Sequence, residues 1–430
     1  MNVQIQNIGI LKDAEICLDG LSVITGYNDS GKSTVGKAMY SLYHGINVYQ
    51  DKILNDSVDY VMGALKRYAI DSKLKVREGL RQWFIETMDR PDKEIADQRM
   101  KLVYNLLLEV HELGTRYHNQ VGVQDTADLA KRLETVQDPA FKFKVKTDVI
   151  LQTFKTEFDG KIRNAYTRKT GKMRVYDGET DYNVLQITNS TVKFPNMFDG
   201  EFYFKDVVFI DTPMILSDFF DILMDLRKSK TKQGHRVDLV EKLINENSRN
   251  RNNIIDDTLA KERLEAIDKM IGKVLAGDVA LEEGHLLYKI KGQSFGAGSL
   301  ASGLKSYVII RRLLDNGYLR ENSLLIIDEP EVHLHPQWQL YFAELLVLMA
   351  KQLDLRMILT THSPYFLQAL DVFSKKHSFH QNTHFYLAKR EADGAVIENI
   401  DGKLDETYNM LAEPIIRLRE LYEEQLETAT

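Results

Sequence analysis

Gly26-Tyr27-Asn28-Asp29-Ser30-Gly31-Lys32-Ser33 combines two glycines, a lysine and a hydroxyl in the pattern G-x-x-x-x-G-K-S. That combination can hold a polyphosphate. Gly26 and Gly31 let the chain curl so that successive backbone N–H groups point inward, and the start of a following helix adds positive potential there. Lys32 is expected to reach the β- and γ-phosphates, and the Ser33 hydroxyl to ligate Mg²⁺. A second reactive stretch, Ser323-Leu324-Leu325-Ile326-Ile327-Asp328-Glu329-Pro330, ends an apolar run in two carboxylates. Asp328 is the candidate for holding Mg²⁺, directly or through water, and Glu329 the candidate general base for an attacking water. In Thr361-His362-Ser363-Pro364, Ser363 can cap a helix and Pro364 suits its first position, which leaves His362 at a strand end as a γ-phosphate sensor. The small-residue run Ser299-Leu300-Ala301-Ser302-Gly303-Leu304-Lys305 opens a helix through Leu314 and offers a further phosphate-binding turn.

These groups can act together only if strands deliver them to one edge. Leu21–Thr25 has the apolar character of a strand, and Val35, Ala38, Met39, Leu42 and Tyr43 then recur at helical spacing, predicting a helix over Lys32–His44. Four apolar residues before Asp328 suit a strand buried on both faces of a parallel sheet, with the carboxylates at its ligand-binding C-terminal end. Arg356–Thr361 reads the same way. Val207–Ile210, followed by Asp211-Thr212-Pro213, resembles a Mg²⁺-binding carboxylate strand, but Thr212 stands where a catalytic acid would be wanted; it is read as a core strand whose end borders the site. Shorter strands are expected around Val3–Ile8, Ala14–Leu18, Lys172–Tyr176, Val184–Val192, Thr383–Leu387 and Val396–Ile400, with a closing helix over Leu404–Leu426.

From Ile46 to Ser190 helical patterns dominate: Ile53–Tyr68, Lys73–Met88, Lys93–Tyr117 and Thr126–Val136. Leu102, Leu106, Val110 and Leu113 form one stripe of the third, and heptads are not sustained, so the region reads as a mainly helical insertion. Two more helical patterns, Leu216–Arg227 and Val237–Ala276, flank a basic loop over Lys228–Arg236. The segment Phe141–Tyr176 is the most basic, with Phe143, Phe154 and Tyr166 interleaved among Lys142, Lys161, Arg163 and Arg168; it is either a surface for phosphate backbones or an ordinary solvated face.

The chain has 430 residues, 43% hydrophobic and 28% charged, enough for a sizeable core and more than one compact domain usually holds. A net charge of −7 argues against a surface coated throughout for nucleic acid. The single cysteine, Cys17, excludes an internal disulfide and a multi-thiolate zinc site, and is expected to face the core of an early strand. No signal-peptide pattern opens the sequence and no apolar run approaches the ~20 residues of a membrane span, so a soluble cytoplasmic protein without membrane contact is expected.

Together the motifs resemble ABC-type ATPase heads, the class of RecF, the SMC proteins and the OLD (overcoming-lysogenisation-defect) proteins. The resemblance covers the first 45 residues and 200–430, and it implies an α/β P-loop head with a mixed, largely parallel sheet. Residues 1–45 and 191–430 would form the head, with 46–190 inserted. Gly26–Thr34 looks like the family's G-x-N-x-S-G-K-S-T, implying ATP contacts from Gly26, Asn28, Ser30, Gly31, Lys32, Ser33 and Thr34. The tract D-E-P-E-V-H-L-H-P over Asp328–Pro336 looks like the OLD-type branch, as does Thr361–Pro364. In that class two heads clasp ATP between them, which implies a homodimer or higher homo-oligomer with Ser302, Gly303 and Lys305 acting in trans and the Glu331–His335 loop, including His333, crossing the interface. The family usually has Gly at the place of Asp29, and a phosphate-contacting Ser at that of Ala301; a Q-loop glutamine cannot be assigned by spacing. His333-x-His335 could also suggest a metal site, though ligand sets need further residues. The stretch after His362 is too short for the TOPRIM nuclease of many OLD proteins and holds no Asp-x-Asp motif. The chain therefore resembles stand-alone ATPases that control a separate nuclease or toxin in anti-phage defence, or alternatively a RecF-like DNA-binding ATPase of repair.

Overall fold

The computed structural model describes residues 1–71, 135, 138–194, 204–228, 234–245 and 264–428. They fall into two compact units: Met1–His44 together with the described residues from Leu151 onward, and a second within Gly45–Ile150. The boundary thus lies at Ile150, where the sequence reading put residue 190.

The strands of the first unit are β1 (Asn2–Ile8), β2 (Leu11–Cys17), β3 (Leu21–Thr25), β4 (Gly171–Asp177), β5 (Thr180–Ile187), β6 (Val192–Lys193), β7 (Val207–Ile210), β8 (Asp278–Glu282), β9 (His285–Ile290), β10 (Gln293–Gly296), β11 (Leu324–Asp328), β12 (Arg356–Thr361), β13 (Thr383–Glu391) and β14 (Gly394–Asn399). Eleven of them form one sheet in the order β6-β5-β4-β1-β2-β14-β13-β3-β12-β11-β7. The run β13-β3-β12-β11-β7 is parallel throughout. Every residue of β3 and β7 is buried, as is the apolar part of β11, which is why these segments show no polar alternation. The β6-to-β2 end is an antiparallel meander with half-exposed alternation, and β14 joins it by running parallel to β2. Strand register places Thr25 beside both Thr361 and Leu387, and Asp328 beside Thr360. The P-loop strand and the carboxylate strand thus end at the same edge.

Helix Lys32–Asp71 is continuous where two helices were expected. Gly45 does not stop it: a Cβ there would lie 2.8 Å from Ile150, so the glycine serves close packing inside the second unit. The remaining helices that bear on the site are Pro139–Glu157, Phe219–Lys228, His235–Ile244, Ser302–Asp315, Pro336–Gln352 and Pro364–Lys376. Strands β8 to β10 form a separate three-stranded antiparallel sheet that the sequence reading did not anticipate. The core around β3, β7, β11 and β12 includes Tyr307, Phe342 and Phe366, all nearly inaccessible. Cys17 is half-buried rather than core-facing. The expected helices Lys73–Met88, Lys93–Tyr117 and almost all of Thr126–Val136 lie outside the described residues, as do 229–233 of the basic loop and 246–263 of the pattern Val237–Ala276. Among the described residues no helix is long and apolar enough to cross a membrane.

Candidate functional site

The chain leaves the fully buried β3 at Thr25 and enters helix Lys32–Asp71 within one tight loop. Gly26 has φ +141°, and a Cβ there would sit 2.5 Å from the Ala388 carbonyl oxygen of β13. Gly31 has φ +89° and Asp29 φ +59°, so the residue that replaces the family's glycine occupies the left-handed region that Asp tolerates better than most. The Ser30 hydroxyl donates to the Tyr27 carbonyl at 2.7 Å, bracing the curl from inside. Asn28 and Asp29 face outward, and Ser33 and Thr34 are half-buried at the helix start. Lys32 is only 5% exposed. Its Nζ donates to the carbonyls of Gly26 at 2.9 Å and Tyr27 at 2.8 Å. Burial pulls its pKa below the usual lysine value, opposed by the negative charges of Glu329, Asp328 and Glu331. The ammonium therefore lies within the field of the carboxylate strand.

Asp328 ends β11 and accepts a 2.9 Å hydrogen bond from the Thr360 hydroxyl of the neighbouring β12. Burial raises its pKa above the ordinary carboxyl range, while hydrogen bonds from Thr360 and Ser33 work the other way. The P-loop hydroxyl and the strand-end carboxylate are thus adjacent, and they present the hard oxygen donors a Mg²⁺ ion takes. This donor set fits Mg²⁺. Glu329 follows with φ +47°, held there by its amide, which donates to both the carbonyl (3.1 Å) and the hydroxyl (3.2 Å) of Thr360. A left-handed glutamate is a backbone strained by its surroundings. It turns the carboxylate out of the sheet, where Glu329 Oε1 lies 3.2 Å from His362 Nδ1.

The structure brings together Lys32, Ser33, Asp328, Glu329 and His362, but it treats the remaining predicted residues differently. Glu331, expected in a loop that crosses to a second molecule, is 4% exposed. Its Oε1 accepts from the Thr361 hydroxyl at 2.6 Å and from the His362 amide at 3.3 Å. Burial raises the Glu331 pKa, with the Thr361 hydrogen bond opposing. Lys305, expected to act in trans, is 3% exposed and donates to Ser217 Oγ at 2.5 Å. Lys305 is turned inward on the buried face of helix Ser302–Asp315, and Glu331 is turned inward from the loop after β11 onto the end of β12. Gly303 packs so close that a Cβ would stand 3.1 Å from the His333 carbonyl oxygen. Ser302 begins its helix, and Ala301 supplies no side-chain cap. His333 and His335 are exposed; His335 Nδ1 accepts from the Gln337 amide at 3.3 Å as a helix cap. Among the described residues no three His, Cys, Asp or Glu side chains gather as a metal site, which leaves the His333-x-His335 pair without further ligands.

Two features escaped the sequence reading. Thr360 links Asp328 to the Glu329 amide, a role visible only once β11 and β12 are paired in register. The second is a buried charge chain at the end of β7, one step beyond the Ile210–Ile327 pairing. His235 Nδ1 lies 2.6 Å from Glu157 Oε2, and its Nε2 lies 3.2 Å from Asp211 Oδ2, the latter an ion-pair contact rather than a straight hydrogen bond. Arg236 also donates to Asp211 Oδ2 at 2.7 Å. Burial alone would lower the His235 pKa, but the two carboxylates outweigh it and lift it to about 9. The residues meeting here are far apart in sequence, and no motif links them.

With this geometry in hand, the chain can be set beside known proteins. The Thermotoga maritima SMC head is 10% identical, covering 93% of this chain and 97% of that one at a TM-score of 0.37. An Smc head with an extended coiled coil, bound to the C-terminal domain of ScpA and derived from Pyrococcus furiosus, is also 10% identical, covering 96% and 98% at 0.38. An ATP-binding cassette of an ABC transporter in its ADP conformation is 12% identical, covering 98% of each chain at 0.32. Likeness at that distance has no bearing on function. No curated protein matches the sequence. A family model does: it is described as an AAA ATPase domain (AAA_15), and it spans residues 1–367, from β1 through the P-loop, Asp328, Glu329 and His362. The chain belongs to this ATPase family.

Proposed function

We propose that this ATPase binds ATP–Mg²⁺ along the edge where β3, β11 and β12 end, and hydrolyses it there. The observation that supports this most is the convergence of Lys32, Ser33, Asp328, Glu329 and His362 from three adjacent parallel strands. The P-loop amides and Lys32 take the β- and γ-phosphates, with Lys32 exchanging the Gly26 and Tyr27 carbonyls for phosphate oxygens. Ser33 and Asp328 would hold Mg²⁺, which would supply charge neutralisation at the phosphates. Glu329 Oε1 accepts a proton from the attacking water, and His362 senses the γ-phosphate beside it. Ser302 and Gly303, at a helix start, serve the nucleotide of a second head, so that ATP joins two heads and hydrolysis releases them. Through this cycle the chain controls a separate effector, a nuclease or toxin, in anti-phage defence; that role rests on resemblance alone.

The test is mass in solution for the parental protein and Glu329→Gln, with and without ATP–Mg²⁺, in material from its native host. Nucleotide-dependent association that Glu329→Gln prolongs, with a second polypeptide bound, is the expected result. A monomer under every condition would defeat the head-pairing part, and an ATPase that binds no partner and leaves phage infection unaffected would defeat the effector part.

A second reading, a DNA-binding ATPase, is favoured by one observation. A cavity of about 680 Å³ beside the P-loop residue Asp29 is lined by Lys161, Arg163, Arg168 and Arg390, with Tyr166 among them. Arg390 lies over the Tyr166 ring at 5.1 Å and donates to the Asp29 carbonyl at 3.5 Å, so this basic wall adjoins the nucleotide loop. Duplex binding that weakens steeply with salt, and weakens again on reversing Lys161, Arg163 and Arg168, would move weight to this reading.

A further inference from the structure

We infer that Glu331 is the positioning residue for His362: a buried carboxylate that fixes the orientation of the imidazole, rather than a residue offered to a second molecule. The inference rests on the reading of Glu329 and His362 as base and sensor, and it concerns what holds them in place.

Glu331 sits two residues beyond Glu329, where the chain turns under the end of β12. One oxygen, Oε1, gathers three groups from that strand end: the Thr361 hydroxyl at 2.6 Å, the His362 amide at 3.3 Å and His362 Nδ1 at 3.9 Å. The first two are hydrogen bonds that pin the backbone from which the ring projects. The third is an electrostatic contact with the ring itself. His362 Nδ1 consequently faces two carboxylate oxygens, Glu329 Oε1 at 3.2 Å and Glu331 Oε1 at 3.9 Å. An imidazole with acceptors on that side keeps its hydrogen on Nδ1 and leaves Nε2 directed away from them. Glu331 thereby fixes the place of His362 through the strand end, and its charge adds to that of the nearer Glu329 in favouring hydrogen on Nδ1.

Other features separate this role from ordinary packing. The side chain of His362 is 43% exposed and that of Glu329 37%, whereas that of Glu331 is 4% exposed. The two groups facing the nucleotide edge are open to solvent, and the group behind them is not. Glu331 Oε2 is buried without a hydrogen-bond partner, so the hydrogen bonds of the side chain run from Oε1 to the end of β12. A buried glutamate serving packing alone would be outperformed by a neutral side chain of the same shape, since burying an incompletely paired carboxylate is costly.

The experiment is a set of variants measured for melting temperature, equilibrium binding of a fluorescent ATP analogue, kcat and KM: Glu331→Gln, Thr361→Val, His362→Ala, and Glu331→Gln combined with His362→Ala. Glu331→Gln is expected to keep binding and KM near parental values and to lower kcat roughly 10- to 100-fold, the range seen when a group orienting a functional histidine is lost. In the His362→Ala background the same substitution is expected to have little further effect, because its influence passes through the ring. Thr361→Val removes one anchor of Oε1 without removing the charge, and a smaller fall in kcat is expected; it carries the test if Glu331→Gln does not fold. Parental kcat in folded Glu331→Gln overturns the inference, as does an equal loss with and without His362. If Glu331→Gln does not fold, parental kcat in Thr361→Val overturns it. If His362→Ala alone leaves kcat unchanged, it is the reading of His362 as sensor that fails.

Discussion

Lys32 and Glu329 carry the most direct consequences at the residue scale. Lys32→Ala removes a buried ammonium that is satisfied by the Gly26 and Tyr27 carbonyls and surrounded by negative charge. ATP affinity is expected to fall at least about tenfold, ~1.4 kcal/mol, in an equilibrium titration; unchanged affinity would remove Lys32 from the phosphate site. Glu329→Gln should bind ATP normally and turn it over about 10²- to 10⁴-fold more slowly, the span of a lost general base. A parental rate would mean that Glu329 is not the base. Such residues were legible in the sequence because their chemistry is concentrated in short motifs: G-K-S cannot easily be anything else, and D-E after four apolar residues has few other uses. Glu331 was misread for the same reason. As part of a recognisable tract it was assigned with its neighbours, and only the pairing of β11 with β12 shows that it points inward.

At the level of the elements, the β3-to-helix junction depends on a residue with no side chain. Gly26→Ala would press a Cβ to 2.5 Å from a carbonyl of β13 while demanding φ near +141°. A loss of roughly 1–3 kcal/mol is expected, read as a lower melting temperature together with weaker ATP binding. Wild-type stability would show that β13 yields. Strands buried on both faces were easy to read, since β7 and β11 are continuous apolar runs and β3 and β12 are mostly apolar. The hairpins β8–β9–β10 were passed over although Glu283-Gly284 and Lys291-Gly292, all at positive φ, are two-residue turns with glycine second. Ala280 stands between Val279 and Leu281, and Leu287 between Leu286 and Tyr288, so these short strands show no clean alternation of apolar and polar residues. The long helix through Gly45 was misjudged because a glycine marks either a stop or a close approach, and sequence alone does not separate the two.

For the molecule as a whole, the Glu157–His235–Asp211 chain gives the fold a dependence on pH. His235 is raised to about 9 from an ordinary 6.5. A group raised on folding contributes stability that is fully present below its unfolded pKa and is lost as pH rises through the folded one. Melting temperature is therefore expected to fall between pH 7 and 10, and to fall less steeply in His235→Gln; equal slopes would show that the histidine is not charged in the folded protein. None of this was legible, since Glu157 ends one helix, Asp211 follows a strand and His235 begins another helix. The eleven-stranded sheet could be anticipated in class but not in order, because order depends on which distant strands meet.

That order has a consequence for how the chain is made. β3 carries the phosphate loop at its end and is synthesised more than three hundred residues before its two neighbours, β12, beginning at Arg356, and β13, beginning at Thr383. At about 5–20 residues per second, Leu21, Val23 and Ile24 wait on the order of tens of seconds before either partner is synthesised. During that interval a finished motif exists without a nucleotide pocket, and an apolar strand has both edges open. Nascent chains of this protein should therefore be clients of whatever shields hydrophobic segments at the ribosome exit. ATP can become a ligand only after β11 and β12, which bring Asp328 and His362, have been made.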